Sequence, residues 1–136
     1  MIDYFHLNMD AEQLLNLSSL GLAHLGDGVY ELMVRSWLCL HGKVTARNLH
    51  RATVGYVAAP AQARRAERIL SLLTQEEADV FRRGRNAQVH SVPSHASRAQ
   101  YGTATALEAL LGWLYLQGET ERVHELFLAM LREEGE

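Results

Sequence analysis

Residues 19–41 read SLGLAHLGDGVYELMVRSWLCLH. Leu22, Leu25, Val29, Leu32, Met33 and Leu40 recur there at spacings near 3.6, which predicts a long helix with one core-facing stripe. Gly42 suits its C-cap. Val34, Trp37 and Leu38 lie beyond that stripe. They add more apolar surface than one small domain is expected to bury, and a symmetric two-fold partner would cover them. In the middle stands Gly26-Asp27-Gly28. Each glycine inside a helix is about 1 kcal/mol worse than alanine, so the triplet reads in two ways. Either the chain bends or breaks with Asp27 as an N-cap, or Asp27 is a functional carboxylate.

Helical signals continue outward from that segment. Thr45 is a good N-cap for TARNLHRATVGYVAA. The residue before a proline avoids the α region, so this helix should end by Ala59, and Pro60 fits the first turn of PAQARRAERILSLL. Thr74 and Glu77 form a capping box opening TQEEADVFRRGRNAQ. HSVPSHAS reads as a loop. A long helix runs from about Ser97 to Gln117 and stops at Gly118. An amphipathic helix over 121–134 carries Val123, Leu126, Phe127, Met130 and Leu131. Strand-like alternation is absent, which predicts an all-α fold of about six or seven helices.

Glu108 is the only charged residue between Arg98 and Glu119. A buried carboxylate is paired, protonated or bound to a metal. Arg98 is too far along the helix to meet it, so its partner should lie elsewhere in the fold. Asp27 and Glu108, one from each of two apolar helices, make a plausible Mg²⁺ site, because that ion takes oxygen ligands and keeps several waters. A hydrated Mg²⁺ beside a phosphate supports phosphodiester hydrolysis. Tyr101, seven residues before Glu108, should point the same way, either into that site or into the core.

Apolar residues make up 48% of the 136-residue chain, charged residues 21%, and there are two prolines. This is the composition of one globular domain over residues 1–136, and it excludes disorder and a disulfide scaffold. The single cysteine, Cys39, cannot bridge internally and is expected to be a small buried hydrophobe. The N-terminus carries acids where a signal peptide is basic, and no run of about 18 apolar residues exists. A cytoplasmic protein without a membrane partner is expected.

Net charge is −3, but the charges are segregated. No acid occurs between Glu31 and Glu67 or between Asp79 and Glu108, and these two windows hold ten of the 13 Lys and Arg. Such a field attracts a polyanion despite the negative total; the plainer reading is a set of solvated helix faces. The seven histidines show no zinc-type spacing, and no phosphate loop, dinucleotide fingerprint or nucleophile elbow is present. His24 and His124 read as ordinary core or surface residues.

Several segments, in order, resemble a known family. GLAHLGDGVYE (21–31) resembles the signature helix of ribonuclease III domains, and ATALEALLGWLYLQG (104–118) the second half of the same site. GKVTARNLHRATVGYVAAPAQA (42–63) and FRRGRNAQVHSVPSHAS (81–97) resemble the compact bacterial subfamily Mini-ribonuclease III. The resemblance covers about Leu20 to Phe127. It implies an all-α, homodimeric endoribonuclease that uses Mg²⁺ to cut both strands of double-stranded RNA, usually the precursor of large-subunit (23S) ribosomal RNA. A ribosomal protein is a further expected partner. Asp27 matches the catalytic, metal-binding aspartate and Glu108 the metal-binding glutamate. Further acids of the larger relatives correspond to Leu20, Ala23, His41 and Thr105, none acidic here, and Gly28 replaces the usual alanine.

No double-stranded-RNA-binding domain is expected after residue 136, so the catalytic domain is expected to grip RNA with its own surface. Duplex RNA is held mainly by backbone and 2′-hydroxyl contacts. The expected surface comprises Arg82, Arg83, Arg85, Asn86, His90, His95 and Arg98, with Lys43 and Arg47 from the first window. The alternative is a non-catalytic RNA-binding or ribosome-associated domain of the same fold, which would have no need of both Asp27 and Glu108.

Overall fold

The computed structural model describes residues 1–42, 45–87 and 96–131. Its helices are α1 (Ala11–Leu14), α2 (Ser19–His41), α3 (Ala46–Val57), α4 (Ala59–Ala66), α5 (Gln75–Arg85), α6 (Arg98–Leu116) and α7 (Thr120–Leu131), with a 3₁₀ turn over Glu67–Leu72. Among the described residues there is no strand, so the fold is all-α as expected. None of the described helices is long and apolar enough to cross a membrane.

Local chemistry sets most of the boundaries. Ser18 caps α2, and Thr45 accepts from the Asn48 amide at 3.4 Å to start α3. Thr74 with Glu77 and Ser97 with Gln100 each close a capping box, opening α5 and α6. Ala58 adopts extended backbone (φ −61°, ψ 141°) and separates α3 from α4, with Pro60 in the first turn of α4. The helix expected through residue 73 instead tightens into 3₁₀ geometry at Glu67. Gly42 does cap α2, donating to the Leu38 carbonyl at 2.7 Å, but from extended rather than left-handed backbone. The left-handed stop is Gly118 (φ +81°), where Gly118 and Glu119 donate to the carbonyls of Tyr115 and Leu114. The short α1 carried no periodic pattern and was not expected.

α6 is the central element. It is buried along Ala104–Gly112 except at the half-buried Glu108, and it packs against α2, α4, α5 and α7. The main core joins Leu107, Leu110 and Leu111 of α6 to Tyr30, Val34 and Leu38 of α2 and to Leu126, Phe127 and Met130 of α7. A smaller cluster sets Leu22 and Ala23 against Ala109, Leu116 and Leu14. α2 therefore buries more than the face its spacing suggests: Leu22 of that stripe is buried and Leu25, Val29 and Met33 pack half-buried against the core, but the stripe does not hold throughout. Leu32 is 55% and Leu40 82% exposed, whereas Val34 and Leu38 are buried in the chain's own core. The helix is apolar nearly all round, so a 3.6-residue spacing fits two faces, and the small residues of α6 select one. Cys39 is exposed, against the expectation of burial.

An ion-pair latch ties the bundle together on one side. Arg122 of α7 reaches both oxygens of the buried Glu77 at 2.8 and 2.9 Å, donates to the Leu72 carbonyl at 2.8 Å, and also pairs with Glu125. The guanidinium beside Glu77 holds that carboxyl below its ordinary range.

Candidate active site

The Gly26-Asp27-Gly28 triplet lies inside a continuous α2, so the chain does not break there and Asp27 is not an N-cap. The reason for Gly26 is the neighbouring helix. A Cβ on Gly26 would stand 1.6 Å from the Glu108 carbonyl oxygen, and a Cβ on Gly112 would stand 2.2 Å from that of Leu22. Only glycine permits this approach. The two absent side chains bring the backbones of α2 and α6 together, and they do so at the residue bearing the second lone carboxylate. Asp27 and Glu108, 81 positions apart in the chain, thereby line one cavity, near enough for the Asp27 charge to act on Glu108.

Both line a cavity of about 400 Å³ with Glu31, Val57, Ala58, Ala59, Gln62, Tyr101, Ala104 and Thr105. Tyr101 shares the cavity with Glu108, as the seven-residue spacing implied. Asp27 is exposed to solvent while Glu108 is partly buried. Burial, and then the Asp27 charge, push the Glu108 carboxyl up to about 8, partly opposed by a hydrogen bond from Gln62 Nε2 to Glu108 Oε2 at 3.2 Å. Two carboxyl groups lining one cavity, one of them resisting ionisation, form a site that gains from a cation. Their hard oxygens suit Mg²⁺. Among the described residues no group of three or more His, Cys, Asp or Glu converges as a metal cluster. An ion here would take two protein ligands and complete its shell with water. Glu31 lines the cavity, but Arg35 holds its carboxylate at 2.7 Å.

Of the four positions aligned with further acids, only Thr105 reaches the cavity, and its hydroxyl donates to the Tyr101 carbonyl at 3.0 Å. Ala23 is buried in the smaller core cluster, and Leu20 is exposed. His41 lies 14 residues beyond Asp27, about 21 Å along α2, where it stacks on Trp37.

The basic residues do not converge on the carboxylates. Arg82, Arg83, Arg85 and Asn86 are exposed at the C-terminal end of α5, and Arg98 is exposed at the start of α6. These two ends adjoin, since a Cβ on Gly102 would lie 3.2 Å from the Arg85 carbonyl. Arg82 pairs with Asp79 at 3.0 Å and Arg85 lies over the Phe81 ring, so Arg83 has the least local engagement. Arg47 is exposed about 15 Å along α3 from Val57 at the cavity wall. Lys43, His90 and His95 lie outside the described residues.

Sequence reasoning missed Gln62 and Glu31. Gln62 had one available signal: it is a lone carboxamide in the alanine-rich stretch APAQA.

Residues 20–119 match the Ribonuclease III domain family. The chain is 46% identical over 115 residues to Mini-ribonuclease 3 of Symbiobacterium thermophilum, covering 85% of this chain and 88% of that protein. It is 48% identical over 108 residues to Mini-ribonuclease 3 of Gloeobacter violaceus, covering 79% and 78%. A crystal structure of a Fusobacterium nucleatum protein superposes with a TM-score of 0.80 at 27% identity, covering 90% of this chain and 98% of that one.

Proposed function

The chain belongs to the Mini-ribonuclease III group of the ribonuclease III domain family and is an endoribonuclease, and from this we propose that it cuts both strands of double-stranded RNA at Asp27 and Glu108. The observation that carries the reading is the glycine-mediated crossing of α2 and α6, which makes one site of two lone carboxylates. Mg²⁺ is the assigned cofactor, with Asp27 and Glu108 as its protein ligands. When bound, the ion activates water as a nucleophile and stabilises charge on the leaving oxygen. Asp27, open to solvent, presents its oxygens to substrate and ion. Glu108, partly buried and oriented by Gln62, supplies the second carboxylate from the opposite helix.

The RNA surface is assigned to Arg82, Arg83, Arg85, Asn86 and Arg98, with Arg47 as an outlying contact. Cationic and amide groups at one end of the bundle suit a phosphate backbone. The resemblance of residues 42–63 and 81–97 supports the 23S ribosomal RNA precursor as substrate, and hence a cytoplasmic site of action on the pre-ribosome.

Dimerisation is assigned to the outward face of α2, not to the residues beyond its expected stripe. An apolar cavity of about 420 Å³ lies there, lined by Phe5, Leu25, Val29, Leu32, Met33 and Val123 and bordered by Gly28. Phe5 is 71% exposed, Leu32 55%. A second copy seated on this face would cover it and set two Asp27 residues beside one two-fold axis, one for each strand.

The test is Asp27→Asn, which keeps shape and removes charge. Cleavage of duplex RNA in Mg²⁺, followed on a gel, should vanish while circular dichroism and RNA binding stay at parental values. Cleavage near the parental rate would sink the assignment.

A further inference from the structure

Gln62 is 2% exposed and is the one buried carboxamide among the described residues. Its neighbours on α4, Ala61 and Ala63, are both buried and offer it no side-chain partner. A buried amide is unfavourable unless its donors find acceptors. The acceptor here is Glu108 Oε2, 3.2 Å from Gln62 Nε2 and on a different helix. The break at Ala58 and the turn through Pro60 set the direction of α4 that delivers this amide to the cavity wall.

The chemistry of the donor matters. Glu108 hangs on three rotatable bonds, so its carboxylate needs a second anchor to hold one orientation. Lysine or arginine at residue 62 would supply the anchor but neutralise the charge and repel a cation. A carboxamide fixes one oxygen while remaining uncharged, and it leaves the other oxygen to Asp27 and the cavity. We propose that Gln62 is a positioning residue: its amide anchors Glu108 so that the Asp27–Glu108 pair is preorganised for a divalent cation. The inference rests on the reading of that pair as the metal site.

Gln62→Met removes the donor and keeps an unbranched side chain of similar length. Mg²⁺ affinity of the metal-stripped protein, read by calorimetry, should fall about tenfold, the scale typical of groups that orient a ligand. The kcat on duplex RNA should fall with it, while KM for RNA stays within about twofold. Parental Mg²⁺ affinity and kcat in Gln62→Met would overturn the proposal, and so would a loss confined to KM. Gln62→Leu is the second variant, and failure of both to fold would assign Gln62 to packing and overturn the positioning role. Asp27→Asn and Glu108→Gln run alongside. If these keep parental affinity and cleavage, the site reading itself fails; if they lose both while Gln62→Met keeps both, only the role of Gln62 fails.

Discussion

Gly26→Ala and Gly28→Ala differ by two positions and should have opposite outcomes. At Gly26 the new methyl would stand 1.6 Å from a backbone oxygen, where ordinary contact begins near 3.4 Å. The helices must part by about 1.8 Å, and the obstacles, the carbonyl of Glu108 and the amide of Gly112, cannot rotate away. Overpacking against side chains destabilises by about 1–3 kcal/mol. With backbone on both sides the loss should reach or exceed the top of that range, a large share of the 5–15 kcal/mol typical of a domain. The same displacement separates Asp27 from Glu108, and a misplacement of about 1 Å already lowers catalysis roughly 100-fold. At Gly28 a methyl would meet nothing within 4 Å. Within the chain only helix propensity then changes, a gain of up to about 1 kcal/mol, or roughly 4 °C in Tm for a chain of this size. Thermal unfolding followed by circular dichroism, with cleavage of a duplex RNA, reads both. An unchanged Tm and rate in Gly26→Ala would refute the close-crossing argument, and a large loss of stability in Gly28→Ala would refute the open face.

Three further outcomes are expected. Because Glu108 titrates near 8 when folded and near its ordinary 4.5 when unfolded, the folded chain binds the extra proton between those values. Metal-free stability should therefore fall as pH rises through that window, by an amount on the order of a few kcal/mol. Glu108→Gln should flatten the decline, and a metal-free stability curve that is level there in the parent would contradict the placement. Replacing Arg82, Arg83 and Arg85 with Ala should weaken RNA binding and flatten its salt dependence by up to about one log–log unit per lost phosphate contact. Cleavage at saturating RNA should remain, whereas an unchanged slope would reduce these arginines to surface pairs like Arg82–Asp79. Leu32→Glu, at an exposed position on the outward face of α2, should give a monomeric mass by sedimentation at micromolar concentration with helicity intact; a persisting dimer would place the interface elsewhere.

Much of this architecture was legible because its signals are local. Thr45, Thr74 and Ser97 satisfy helix-opening amides within their own first turns, so a reader of the sequence finds the same starts. Asp27 and Glu108 stood out by being charged on apolar helices. What escaped reading was set by tertiary contact. The inward face of α2 depends on where α6 lies, and a helix apolar all round does not declare it. The meaning of Gly26 was hidden for the same reason: a glycine that weakens its own helix is explained only by the backbone it meets. Gln62 shows only as a lone carboxamide among alanines, and its role is hidden without the fold because its partner is 46 residues away. The four-residue α1 is too short for any period to show.

The latch at Arg122 joins events that the chain keeps far apart. One guanidinium serves the capping carboxylate of α5, the carbonyl that ends the 3₁₀ turn, and its own helix. α7 cannot lift away without stripping the capping carboxylate of α5 of its charge partner, which weakens the stem of the arginine-bearing end. The two segments should therefore open as one cooperative unit, with amide hydrogens near Thr74–Ala78 and Val123–Phe127 exchanging at a common rate. Acid should trip that unit, because stability held by a carboxyl of lowered pKa is present above the ordinary range and lost as pH falls through the folded value. The crossing of α2 and α6 depends on neither charge, so the carboxylate pocket should outlast the far side of the bundle as the protein is acidified.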